Sequence, residues 1–279
     1  MLAQLVRAPA CHAGGRGFKS LTSRQFINQG ALELLFLVVR IVVAEVQKTA
    51  SQKNSGADRP VQLAIYDFDG TLLAGKSPVI LTRTLFFSHQ LSFGNLWLIM
   101  LWGLAYKMHV PPNEAWVRGR VFRAFEGKPR DEVDAYLAWF YDKKIAHRLR
   151  SSLLKQIKRD RDEGCIIITV SATFEPIVKR MVELGVVDYQ IATKMVVDEQ
   201  GNYVARVDGL PVEGDEKIAA LKRFADEKFG HGNWWVKRAY SDHYSDKPLL
   251  FAADYATAVH PDTGLKKAAQ KYGWNILED

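Results

Sequence analysis

The sequence predicts an α/β protein: a parallel sheet covered on both faces by helices, with one long helical block inserted into it. Three observations lead there. Apolar runs of strand length alternate with segments of helical periodicity, as in a sheet built from strand–helix–strand units. One stretch, residues 76–161, keeps helical character for much longer than a single crossover needs. Short polar turns rich in Asp, Ser and Thr follow the strands directly, at the sheet edge where open α/β folds bind ligands.

The first strand is Val61-Gln62-Leu63-Ala64-Ile65-Tyr66, preceded by the small, polar linker of residues 47–59 and followed at once by Asp67-Phe68-Asp69-Gly70-Thr71. The helical block then shows apolar residues three and four apart, as at Leu81, Leu85 and Phe86, or Val121, Phe122 and Phe125. Helix starts are expected at Pro111-Pro112-Asn113-Glu114 and at Pro129-Arg130-Asp131-Glu132. The second strand, Ile166-Ile167-Ile168-Thr169-Val170, is β-branched throughout, the pattern of a strand buried on both faces. A helix over 175–184, closed by Gly185, comes next, then a strand over 189–193. Residues 195–197 and 203–207 flank a hairpin-like turn. A helix over 216–229, a strand over 234–240 and a last strand over 255–259 complete the expected core. The division this gives is a 1–60 extension, partly helical or disordered, a core of 61–75 and 162–279, and a helical insertion of 76–161.

Composition bounds the function without choosing it. Of 279 residues, 48% are hydrophobic and 25% charged, as in folded rather than disordered chains. The net charge of +7 favours anionic partners: phosphorylated compounds, acidic lipid or nucleic acid. No basic-aromatic binding motif supports nucleic acid, so it is not an expected partner. Two cysteines, Cys11 and Cys165, make no disulfide framework and no metal spacing, and point to a reducing, cytoplasmic setting.

The first 30 residues carry Arg7, Arg16, Lys19 and Arg24 with no acid. That is compatible with an organelle transit peptide, a tail or an early start, and the transit peptide is not the favoured reading. Residues 31–46 and 91–108 are apolar but fall short of a clean span of about 20 residues, so each is expected to be a buried or interfacial helix.

Four segments carry candidate chemistry. Asp67 and Asp69 sit at i and i+2 after a strand; two carboxylates that close call for a shared proton or cation, and hard oxygen donors favour Mg2+. A polar capping loop would account for them too. Ser171, Ala172 and Thr173 follow the Ile-rich strand, where a hydroxyl and free amides cradle phosphate oxygens or simply cap a helix. Lys217 opens a helix, where a cation is unfavourable to the helix dipole; it suits a transferring phosphoryl group, or is an ordinary surface lysine. Asp242 and Asp246 lie four apart after another strand, spaced to meet on a cation or to stand in solvent. In a parallel sheet all four segments gather at one edge, and that common placement joins them into a single site.

These motifs, in this order, resemble the haloacid dehalogenase (HAD) superfamily. The likeness is strongest to its subclass IB, which holds phosphoserine phosphatase-like and phosphatidylglycerophosphatase C-like hydrolases. Asp67–Thr71 matches the first motif, Ser171–Thr173 the second, Lys217 the third and Ser241–Asp246 the fourth. The resemblance covers roughly residue 61 to the C-terminus and implies a Rossmann-like core with an inserted helical cap. It implies a phosphatase in which Asp67 attacks phosphorus to form an aspartyl-phosphate and Asp69 acts as acid and base. Thr71, Ser171, Ala172 and Lys217 would contact the phosphoryl group. Asp67, the Asp69 carbonyl and Asp242 would bind Mg2+, with Asp246 in support. Serines at 241 and 245 replace the Gly and Asn common in the fourth motif, while both of its aspartates are kept.

The insertion is expected to choose the leaving group. Leu91, Phe93, Leu96, Trp97 and Trp102, with the basic run from Lys143 to Arg161, would suit a lipid phosphate at a membrane surface with peripheral contact. A soluble phosphomonoester, and a non-catalytic binding or scaffold protein on the same fold, are the alternatives.

Overall fold

A computed structural model describes residues 60–87 and 123–278. The two apolar segments, the helix start at Pro111 and most of the apolar insertion residues lie outside the described residues. Among the described residues, no helix is long and apolar enough to cross a membrane.

Six strands form one parallel sheet: β1 Val61–Tyr66, β2 Ile166–Phe174, β3 Tyr189–Thr193, β6 Trp234–Ser241, β7 Ala253–Val259 and β8 Asn275–Leu277. Their spatial order is β3-β2-β1-β6-β7-β8. From β1 the chain winds outward through β2 and β3, then crosses back to β6 and winds outward the other way. The switch point therefore lies between β1 and β6, and the crevice beyond their carboxyl ends is the place such sheets bind ligands. Tyr66 pairs with Tyr240 in register, and the Asp67 amide donates to the Tyr240 carbonyl at 2.9 Å, so Asp67 emerges beside Ser241 and Asp242.

Strand alternation makes the three layers. Ala64, Tyr66 and Ile167 face one core, with α2 Arg130–Phe140, α3 Ser151–Asp162 and α4 Glu175–Glu183. Leu63, Ile65, Ile168 and Val170 face the other, with α5 Asp215–Phe229, α6 Lys247–Phe251 and α7 Thr263–Tyr272. Helix α1, Ser77–Phe87, follows β1 after the site loop. The antiparallel pair β4 Met195–Val197 and β5 Tyr203–Val207 stands apart as the expected hairpin.

Two differences from expectation matter. Residues 255–259 are not the last strand; α7 and the edge strand β8 follow, and β8 is only three residues long with two of them exposed, too short to announce itself by alternation. The second strand also runs on through Ser171, Ala172 and Thr173 to Phe174, so the hydroxyls sit on extended backbone before α4 begins. The long helical segment is anchored at both ends: Leu73 bridges Leu149, the Arg150 amide donates to the Leu72 carbonyl at 2.9 Å, and the Ala74 amide to the Arg148 carbonyl at 3.0 Å. Chain exit and chain return thus share one stem beside the crevice.

Candidate active site

The loop after β1 turns sharply because Gly70 adopts φ +91°, a region costly for any side chain. A Cβ there would stand 2.0 Å from an Asp242 carboxylate oxygen, so glycine lets the fourth segment close onto the first. The Thr71 hydroxyl, fully buried, donates to Asp67 Oδ2 at 2.9 Å and lies 3.4 Å from Asp242 Oδ1. One hydroxyl thereby ties together two carboxylates 175 positions apart in sequence.

Lys217 completes the other side of Asp67. Its Nζ lies 2.7 Å from Asp67 Oδ1 and 2.6 Å from Asp246 Oδ2, with all three side chains at most 6% exposed. Burial disfavours the ammonium, yet Asp67 and Asp246 hold it well above the ordinary lysine range. Ser241 donates to the same Asp246 oxygen at 2.5 Å. Asp246 is therefore turned toward Lys217 and Ser241, and serves the site by fixing the lysine.

Asp69 points away from this cluster, into the start of α1. Its carboxylate accepts the Ser77 amide at 2.5 Å and the Ser77 hydroxyl at 2.9 Å, an N-terminal cap built from a distant residue. The Ser77 hydroxyl also lies 2.5 Å from the Thr173 hydroxyl, which links the first segment to the second. Burial pushes the Asp69 carboxyl up to about 6, against the lowering effect of the Ser77 amide and Lys76. A carboxylic acid near neutrality can both give and take a proton at working pH. Ser171 is buried and its Oγ accepts the Thr173 amide at 3.1 Å; Ala172, half-buried, lies between them at the crevice edge.

The sites predicted from sequence thus come together: Asp67, Thr71, Asp242, Lys217 and Asp246 in one bonded cluster, and Asp69 joined through Ser77 and Thr173 to the Ser171 segment. Three further residues, Ser77, Arg150 and Lys76, were not anticipated. Ser77 holds Asp69; its signal was a hydroxyl directly before Pro78 at a helix start. The Thr173 side chain, expected as part of the second segment's cradle, bonds Ser77. Arg150 donates to the Thr71 carbonyl at 3.1 Å and the Gly70 carbonyl at 3.4 Å, pinning the loop. Lys76 places its ammonium 2.8 Å from the Asp69 carbonyl and 2.9 Å from Asp242 Oδ2. Nothing in the local sequence marks Arg150 or Lys76.

The donor chemistry fits a hard divalent cation. The Asp67 and Asp242 carboxylates and the Asp69 carbonyl are all oxygen donors, and burial together with the nearby Asp67 charge raises the Asp242 carboxyl above its usual range. Two converging carboxylates of that kind need positive charge. Among the described residues no three Asp, Glu, His or Cys side chains form a metal cluster.

Residues 64–250, about two thirds of the chain, match the family model of haloacid dehalogenase-like hydrolases. The chain belongs to that family. This haloacid dehalogenase-like hydrolase is 27% identical over 244 residues to phosphoserine phosphatase SerB1 of Mycobacterium tuberculosis, across 84% of its own length and 77% of the relative's. It is 34% identical over 115 residues to a probable phosphatase of the same organism, across 41% of its own length and 38% of the relative's. Among solved structures, a protein of unknown function from Bordetella pertussis superposes with a TM-score of 0.69 at 22% identity, over 78% of this chain and 99% of that one. A phospho-aspartyl intermediate analogue of phosphoserine phosphatase superposes with a TM-score of 0.54 at 18% identity, over 80% of this chain and 95% of that one. At those identities the superpositions establish the fold. By its family the chain is a hydrolase.

Proposed function

We propose that this chain is a magnesium-dependent phosphomonoester hydrolase that works through an aspartyl-phosphate on Asp67. One observation carries the reading: carboxylates from the first and fourth segments and the ammonium of the third meet within hydrogen-bonding distance at the switch point of a parallel sheet.

In the first half-reaction an Asp67 carboxylate oxygen bonds to phosphorus as the ester P–O bond breaks. Asp69, protonated, gives its proton to the departing alcohol oxygen. In the second, the Asp69 carboxylate takes a proton from water, whose oxygen bonds to phosphorus while the bond to Asp67 breaks, releasing inorganic phosphate. Lys217 and the Ser171 segment balance charge on the phosphoryl oxygens, and Asp246 and Ser241 hold Lys217 in place. Mg2+, held by Asp67, Asp242 and the Asp69 carbonyl, would supply charge compensation between nucleophile and substrate. Ser77 and Thr173 keep the Asp69 carboxyl oriented.

The helical segment of residues 76–161 is the part we assign to leaving-group choice, since the bonded cluster addresses only the phosphoryl group. The similarity to phosphoserine phosphatase SerB1 supports a soluble phosphomonoester as substrate. Several cations of the basic run are engaged internally: Arg161 pairs with Asp188 at 3.2 Å, Arg150 pins the site loop, and Arg148 donates to the Lys144 carbonyl.

The test is release of inorganic phosphate by purified protein from phosphoamino acids, sugar phosphates and vesicle-borne lipid phosphates. Activity on a soluble ester that stops with chelator and returns with Mg2+ is expected. No release from any of them would overturn the reading.

A further inference from the structure

We propose that Lys76 is a tethered cation that competes with the divalent ion for the metal cradle, so that metal binding requires its ammonium to swing out. The inference rests on the reading of Asp242 and the Asp69 carbonyl as metal-binding groups.

The geometry is specific. The Lys76 ammonium bonds the Asp69 main-chain oxygen at 2.8 Å and Asp242 Oδ2 at 2.9 Å. Both are oxygens that the cradle would offer to Mg2+. An ammonium bridging them lies within a few ångströms of any ion that shares them. Two cations that close repel strongly at the low polarity of a crevice. They cannot hold the same pair of oxygens together.

The two site lysines are built differently. Lys217 is 6% exposed and locked between Asp67 and Asp246, so nothing lets it leave. Lys76 is 45% exposed and has a flexible four-carbon stem that can carry its charge into water. Its backbone does not need to move for this, because Ser77 is already fixed to Asp69 at the start of α1. Gly70 clears the space on the other side: a Cβ there would come within 2.7 Å of the Lys76 ammonium. The site therefore contains one fixed cation that serves Asp67 and one removable cation that serves Asp242.

The consequence is a cradle that stays charge-balanced without metal and binds Mg2+ more weakly than its oxygens alone would allow. Calorimetric titration of Mg2+ into the full chain tests it, comparing the wild type with Lys76→Met, which keeps the stem and removes the charge. Lys76→Met is expected to bind about tenfold more tightly. Loss of a nearby positive charge would tighten binding even without displacement, so a second measurement is needed. Amine acetylation of the wild type, read at Lys76 by peptide mass spectrometry, is expected to run faster in saturating Mg2+ than in chelator, as the freed ammonium enters solvent. Mg2+ binding with unchanged or slower Lys76 acetylation would overturn the displacement and leave the metal reading standing. Equal affinity of the two proteins would do the same. No binding heat in either protein would overturn both.

Discussion

Replacing Lys217 with methionine removes the charge that separates two buried carboxylates. In the wild type the ammonium sits 2.7 Å from Asp67 and 2.6 Å from Asp246, and these three side chains are 6%, 5% and 1% exposed. Deleting one partner of such a buried group costs about 3–5 kcal/mol, because the remaining charge is left in a dry site. Thr71 and Ser241 still donate to the orphaned carboxylates, which places the expected loss near the lower end, about 3 kcal/mol. The pH dependence has a definite sign. The Lys217 pKa is raised above its unfolded value, so its stabilisation is fully present at and below neutrality and is lost only in strong alkali. Urea denaturation followed by tryptophan fluorescence, in chelator at neutral pH, measures the loss. A loss under about 1 kcal/mol would refute the argument that Lys217 is the counter-ion of this pair.

Asp67→Asn should lower turnover by about three orders of magnitude or more while near-ultraviolet circular dichroism stays unchanged. Because Asp69 titrates at about 6, kcat/KM for an ester with a poor leaving group should fall as pH rises above that value, and Asp69→Asn should flatten the slope. Gly70→Ala puts a Cβ into Asp242 at a φ of +91°, so calorimetry should show Mg2+ binding weakened at least about tenfold. Asp160→Ala removes the shared acceptor of Tyr66, Tyr240 and Arg238, and should cost about 3 kcal/mol in a urea titration.

Much of the core could be read from short-range pattern. The β-branched run at Ile166 and the apolar run at Val61 became adjacent central strands, and the helix expected over 216–229 spans Asp215–Phe229. Patterns failed where burial did not follow apolarity. Asp160 looks like one acid in a basic helix, yet it shares a face with Leu153 and Ile157 and is fully buried, accepting from two stacked tyrosines. Strand β8 was missed because three residues of a half-exposed edge strand are too few to alternate; helix α7 was missed although Asp262 caps it and Leu265, Ala268 and Ala269 share its buried face.

By itself the sequence determined every core strand but the last, their parallel run and hence the edge at which Asp67, Ser171, Lys217 and Asp242 gather, because a strand–helix–strand chain leaves few other ways to cover both sheet faces. Tertiary structure decided how those groups are held: Ser77 on Asp69, Thr71 between Asp67 and Asp242, Asp246 behind Lys217, Lys76 across the cradle. Those partners are fixed by how a loop folds back and how side chains fill the crevice, and no local pattern in the chain encodes the direction in which a lysine or a serine points.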